Sequence, residues 1–193
     1  MILTMVTSNT NKVREVAEFF GGILDICHVP LEIPELRSDD VAKISRQKAE
    51  YAFDHLLTPL IVDDTCFCID ALKGFPGPYA AYVLQSIGYE GILKIMSSVP
   101  NRTAHFTTVI AYADEYGVRV FPGTLHGRII TVPRGSEGFG YDPIFEVDGR
   151  TLAELPFWEK SRISHRALAL TAFRDWFMQE YGPKKIDTID TNG

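Results

Sequence analysis

The chain has 193 residues, 46% of them hydrophobic and 23% charged, with a formal net charge of −6. That balance suits one folded domain and excludes a largely disordered chain or a coiled coil. The negative total argues against a protein that grips a DNA or RNA backbone, while leaving room for a local basic pocket around a small polyanion.

Residues 2–7 read as a strand, followed by the polar loop Ser8-Asn9-Thr10-Asn11. Behind it Val13, Val16, Ala17 and Phe20 recur at helical spacing, and Gly21-Gly22 stops the helix. A strand, a short polar loop and a helix N-terminus together gather unpaired backbone N–H groups and suit an anion. Residues 23–29 form a second expected strand. Ser38-Asp39 is the expected cap of a helix running to about residue 56, whose inner row is Val41, Ile44, Lys48 and Ala52. Lys48 in that row either snorkels at the edge or aims its ammonium into a cleft.

Residues 59–70, PLIVDDTCFCID, end an apolar run in two aspartates. On an extended strand Asp63 and Asp64 leave opposite faces, so one faces a cleft and the other supports it, unless both merely end the strand. Cys66 and Cys68 have the wrong spacing and too few companions for structural zinc and read as small buried residues. A turn-rich segment, 73–79, leads into helices to about residue 99. Strands at 104–113 and 118–132 flank the turn Asp114-Glu115-Tyr116-Gly117, and a glycine-rich loop covers 134–143. A last helix is expected from about Ser164, with Ala169, Ala172, Phe173, Trp176 and Phe177 inward. The tail beyond 183 is expected to be mobile. The interspersed elements predict a mixed α/β domain over residues 1–182, built around a twisted sheet.

Two further clusters carry chemistry. In Gly138-Phe139-Gly140-Tyr141-Asp142-Pro143 the aromatics are either a platform for a flat ring or core anchors. Asp142 either ties the loop in an Asx-type turn or accepts a hydrogen bond from a ligand. In residues 159–166, Lys160, Arg162 and Arg166 are cations expected beside a helix N-terminus, where the dipole favours an anion. His165 is either a satisfied core group or a reader of ligand oxygens. No apolar run approaches the ~20 residues needed to span a bilayer. Residues 1–6 are too short for a signal segment. Three cysteines, an odd number, fit a reducing compartment, so a cytoplasmic location without membrane attachment is expected.

Taken in order, Thr-Ser-Asn-Thr-Asn-Lys (7–12), Ile-Pro-Glu (33–35), Ile-Ser-Arg-Gln-Lys (44–48), Val-Asp-Asp-Thr (62–65), Gly-Phe-Pro-Gly-Pro-Tyr (74–79), Gly-Phe-Gly-Tyr-Asp-Pro (138–143) and Ser-His-Arg (164–166) resemble the inosine triphosphate pyrophosphatase family across nearly the whole chain. The resemblance implies an elongated α/β fold with two lobes around a cleft, a homodimer, and Mg²⁺-dependent cleavage of non-canonical purine triphosphates (ITP, dITP, XTP) to monophosphate and pyrophosphate. It places the loop Thr7, Ser8, Asn9, Thr10, Asn11 and Lys12 on the triphosphate, with Lys48. It makes Glu35 and Asp64 the metal carboxylates, Asp64 also the proton acceptor, and Asp63 its support. Thr65, Phe139, Gly140, Tyr141, Asp142, Lys160, His165 and Arg166 would hold the nucleotide. Two departures stand out: Ser8 where the family often has glycine, and Tyr141 where many members have tryptophan. The alternatives are a non-catalytic nucleotide sensor on the same fold and a pyrophosphatase for other modified nucleotides.

Overall fold

Helices cover both faces of an open mixed sheet. The computed structural model describes residues 2–34 and 36–182. Its strands are β1 (Ile2–Val6), β2 (Asp25–Val29), β3 (Leu60–Ile69), β4 (Pro76–Gly77), β5 (Thr103–Asp114), β6 (Gly117–Ile129), β7 (Phe145–Val147) and β8 (Arg150–Thr151). Its helices are α1 (Thr10–Phe20), α2 (Val41–Leu56), α3 (Ala80–Ile95), α4 (Phe157–Ile163) and α5 (His165–Tyr181). The strands run in the order β2-β1-β3-β5-β6-β7-β8, with β4 beside β3. β1 is parallel to β2 and β3, and the remaining pairings are antiparallel. The tail expected to be mobile lies outside the described residues.

Side-chain alternation along the long strands divides the core. Leu3, Met5, Ile61, Ile110 and Tyr112 bury one face under α1 and α5, against Val16, Phe20, Phe173 and Phe177. Val6, Leu60, Val62 and Ala111 bury the other face under Ala49 and Ala52 of α2. Further along the same strands, Phe67, Ile69, Ala104 and Phe106 pack with Val83 and Ile92 of α3 and with Ile144 and Phe145. These clusters are the cores of two lobes, and the long strands run through both. β3 pairs with β5 from Leu60↔Ala113 to Ile69↔Ala104, which fixes the lobes to one another by a continuous ladder.

Boundaries shift where local capping decides. Asp40, not Ser38 or Asp39, caps α2 by accepting from the backbone N–H groups of Ala42 and Lys43. Ser38 instead accepts from the Asp40 N–H. The inner face of α1 is also turned: Ala17 is exposed and Glu15 is buried, because the carboxylate of Glu15 reaches cations from α4 and α5. The last helix starts where expected, with the Ser164 hydroxyl capping α5 at the Ala167 N–H, but a separate short helix, α4, precedes it. Lys160 and Arg162 therefore belong to the last turn of α4, where the helix dipole favours cations. The expectation that they sit against the last helix's N-terminus is corrected accordingly. α5 lies directly on β6 at Gly123, where a Cβ would run into the backbone at His165 and Ala169. That close approach lowers the start of α5 onto the sheet.

Candidate active site

A cleft of about 620 Å³ opens between the lobes. One end is built by the β1–α1 loop, the middle of β3 and Lys48 of α2; the other by residues 139–142, Lys160 and His165.

β3 deals its two aspartates to opposite sides, as strand geometry requires. Asp64 faces α2, where Lys48 Nζ sits 2.7 Å from Oδ1 and Ser45 Oγ 3.5 Å from Oδ2. Lys48 thus enters the cleft instead of snorkelling outward. Asp63 faces α1 and α5, with its side chain fully enclosed. Arg166 Nε donates to its Oδ2 at 2.6 Å, and Lys12 Nζ is ion-paired with Oδ1 and donates to the Asp63 carbonyl at 2.8 Å. Burial works to raise the Asp63 pKa, but Arg166 and Lys12 outweigh it and hold this carboxyl well below the usual range. For Asp64 burial wins over Lys12 and Lys48, and its pKa moves upward.

Asp63 is one member of a buried ionic chain. Arg166 Nη1 reaches Glu15, Lys160 Nζ joins Glu15 at 2.8 Å and Asp142 at 2.6 Å, and all of these side chains are at most 6% exposed. The chain runs Lys12–Asp63–Arg166–Glu15–Lys160–Asp142 from the start of α1 to the loop 138–143. Glu15 is the residue that sequence reasoning missed. A signal existed: Glu15 lies three residues after Lys12, hence on the same helix side.

The loop 138–143 is held from beneath. Asp142 Oδ2 accepts from the Phe139 N–H at 2.8 Å as well as from Lys160, so it ties the loop by reaching three residues back and not through an Asx turn, which reaches two residues on. Burial raises its pKa against the pull of Lys160. Gly138 and Gly140 have φ of 74° and 71°, a region that favours glycine. The ring of Phe139 lies under Lys160, 4.6 Å from Nζ, and borders the cleft with Gly140. Of the two readings of Tyr141, the core anchor is the one seen, although the residue still borders the cleft. It is 4% exposed, its ring rests 4.7 Å from Phe67, and its hydroxyl donates to the Ala80 carbonyl at 2.8 Å. The core claims it because a tyrosine there can bury its ring and still satisfy its hydroxyl.

His165 is buried, stacked on Phe106 at 4.7 Å, with Nδ1 2.6 Å from Thr108 Oγ1. Burial, then Arg166 and Lys160, push its pKa well below the usual value, so the ring is neutral at neutral pH. Arg166 spends its fork on Asp63, Glu15 and Thr65, which makes it a strut of the wall. In the β1–α1 loop, Thr7, Ser8, Asn9 and Lys12 border the cleft. Asn9 caps α1 by accepting from the Asn11 and Lys12 N–H groups. Thr10 and Asn11 are exposed in the first turn of α1 and away from the cleft wall. Ser8 has no left-handed backbone angle, so its side chain is accommodated without backbone strain. Glu35 lies outside the described residues.

The geometry defines an open-sheet α/β protein whose inter-lobe cleft is lined by ion pairs and by residues 139–142 with His165. By sequence, residues 3–176 match the Ham1 family, and the chain belongs to that family. A dITP/XTP pyrophosphatase from Thermococcus kodakarensis is 42% identical over 93% of this chain and 98% of its own length. Inosine triphosphate pyrophosphatase 2 from Trypanosoma cruzi is 44% identical over 91% of each chain. A HAM1 protein from Coxiella burnetii superimposes with a TM-score of 0.81 at 29% identity, over 93% of this chain and 100% of that one.

Proposed function

We propose that the chain is a nucleoside triphosphate pyrophosphatase that hydrolyses non-canonical purine triphosphates (ITP, dITP and XTP) to the monophosphate and pyrophosphate. The observation that carries this reading is the single cleft that joins an anion-suited helix N-terminus with Lys12 and Lys48 to a wall of Phe139, Lys160 and His165. The names of its relatives from Thermococcus kodakarensis and Trypanosoma cruzi support it.

Charge balance supports a cation with the substrate. Lys12, Lys48, Lys160 and Arg166 are already paired with Asp63, Asp64, Asp142 and Glu15. A triphosphate therefore adds negative charge that these pairs do not offset. Among the described residues no group of three or more His, Cys, Asp or Glu forms a metal cage. Asp64 at the cleft nonetheless fits Mg²⁺, which binds through one or two carboxylates and completes its shell with phosphate oxygens and water. When bound it would neutralise charge on the phosphates. Asp64 and Glu35 are the carboxylates proposed to hold it.

In the proposed reaction a water oxygen bonds to the α-phosphorus while the bond from that phosphorus to the bridging oxygen of the leaving pyrophosphate breaks. Asp64 accepts the water proton. Lys12 and Lys48 face the phosphates and stabilise the charge on the departing oxygen. Asp63 holds Lys12 and Arg166 in place. The proposed assembly is a homodimer in the cytoplasm. No helix among the described residues is long and apolar enough to cross a membrane.

The test is a nucleotide panel with pyrophosphate detection, with and without Mg²⁺. Mg²⁺-dependent release from ITP, dITP and XTP should exceed that from ATP and GTP by at least about tenfold, the worth of one hydrogen bond of ~1.4 kcal/mol. Binding without release would favour a sensor, and preference for a pyrimidine triphosphate would overturn the purine assignment.

A further inference from the structure

The β1–α1 loop keeps fewer donors free than a helix N-terminus ordinarily offers. The Asn11 and Lys12 N–H groups are taken by Asn9 Oδ1 at 3.0 and 3.4 Å, and the Asn9 N–H by Thr7 Oγ1 at 3.1 Å. Thr10 lies off the cleft wall. Ser8 borders the cleft, and among the described residues nothing accepts from its N–H. The direction of that N–H therefore matters to an anion at this end of the cleft.

A peptide unit is planar and trans, so its C=O and N–H point in opposite directions. The Ser8 N–H shares its unit with the Thr7 carbonyl. β1 and β2 pair in parallel as far as Val6↔Val29, and the Thr7 N–H extends the ladder onto the Val29 carbonyl at 3.2 Å. The next rung would bring the Leu31 N–H to the Thr7 carbonyl. Past Pro30 the ladder stops, and the Leu31 N–H folds back onto the Val29 carbonyl at 3.1 Å. His28 fills the missing rung, with Nε2 2.8 Å from the Thr7 carbonyl oxygen. A carbonyl can only accept, so Nε2 carries the proton. The Thr7 carbonyl is thereby held toward β2. Because β1 lies between β2 and β3, the Ser8 N–H is turned toward β3, whose residues 62–65 border the cleft.

We propose that His28 is a positioning residue for the phosphate end of the cleft, holding the Thr7–Ser8 peptide so that the Ser8 N–H donates to a bound polyphosphate. His28 is half-buried on β2 and outside the cleft wall, so it acts through the peptide and does not touch the ligand. Without its bond the peptide is free to rotate and to turn a carbonyl oxygen toward the anion, which replaces an attraction with a repulsion. This inference rests on the proposed triphosphate reading of the cleft.

Tripolyphosphate, which carries no base, is the probe, titrated with Mg²⁺ into the full chain. The ring-nitrogen resonances of His28 should show Nε2 protonated, and the Ser8 amide proton should move downfield as the anion binds. His28→Leu, which lacks the donor, should weaken binding about tenfold, the worth of one hydrogen bond to a charged group. It should also lose most of the Ser8 shift. His28→Gln places an amide N–H near the Nε2 position and should restore both. With ITP, kcat/KM should fall by the same factor in His28→Leu and recover in His28→Gln. An unprotonated Nε2 or an unmoved Ser8 amide in the unsubstituted protein overturns the proposal, as does unchanged tripolyphosphate binding in His28→Leu. The expected binding pattern without pyrophosphate release from ITP upholds the role of His28 and removes the hydrolase reading alone.

Discussion

Asp64→Asn is expected to leave a folded protein that has lost about 10²- to 10⁴-fold of its pyrophosphate release, the usual worth of a general base. The amide keeps the shape of the carboxyl and an oxygen for the Lys48 ammonium, 2.7 Å away. It cannot accept a proton from water. Stability should change little, because burying this carboxylate is itself unfavourable enough to raise its pKa, and removing the charge relieves that penalty while weakening the pair. Turnover with saturating ITP and the urea midpoint, measured on one preparation, check both halves. Release close to that of the unsubstituted protein would remove Asp64 from the proton-accepting role.

Arg166→Met should have the opposite signature, a loss of about 3–5 kcal/mol in folding stability. The side chain is enclosed, and methionine roughly matches its aliphatic length. What disappears is the partner of two buried carboxylates, Asp63 and Glu15. Each then keeps fewer partners in a site that water does not reach, and an uncompensated buried charge is the expensive outcome. Equilibrium urea unfolding near neutral pH measures the effect, and a change under ~1 kcal/mol would show that the chain tolerates the gap. The same network governs acid sensitivity. Asp63 has a folded pKa below its unfolded value, so its contribution is fully present above the ordinary carboxylate range and is lost as pH falls toward the folded value. Arg166→Met weakens that contribution, and its stability should fall less steeply with acid.

The fold was largely legible from the sequence. Residue-by-residue patterns find most of the helices and the long strands, since burial on one face imposes a period of 3.6 or 2. The parting of Asp63 from Asp64 follows from that period alone. Lys48 could be placed on its helix row from the pattern, but only the packing of α2 against β3 shows its ammonium on Asp64. The start of α5 was located at Ser164, while α4 went unseen before it, because residues 160–166 hold no glycine or proline to divide the two helices.

The candidate site was legible in its motifs and not in its connections. For Tyr141 the sequence left a platform and a core anchor open, and the choice fell to the lobe around Phe67, which has room for its ring and a carbonyl for its hydroxyl. Glu15 was passed over because local spacing cannot reveal Lys160 and Arg166, which arrive from 145 and 151 residues away. The Thr108 hydroxyl meets the His165 ring, 57 residues away.

By itself, then, the sequence determined the elements, the alternation that divides Asp63 from Asp64, and the motifs that point to a polyanion and a flat ring. Those properties are local, set by periodicity and by residue chemistry within a few positions. Only the tertiary structure decided which charges neutralise one another, how deeply Tyr141 is buried and which hydroxyl meets the His165 ring. Each of these depends on groups distant in the chain that close packing brings within hydrogen-bonding reach, and no local pattern encodes such a meeting.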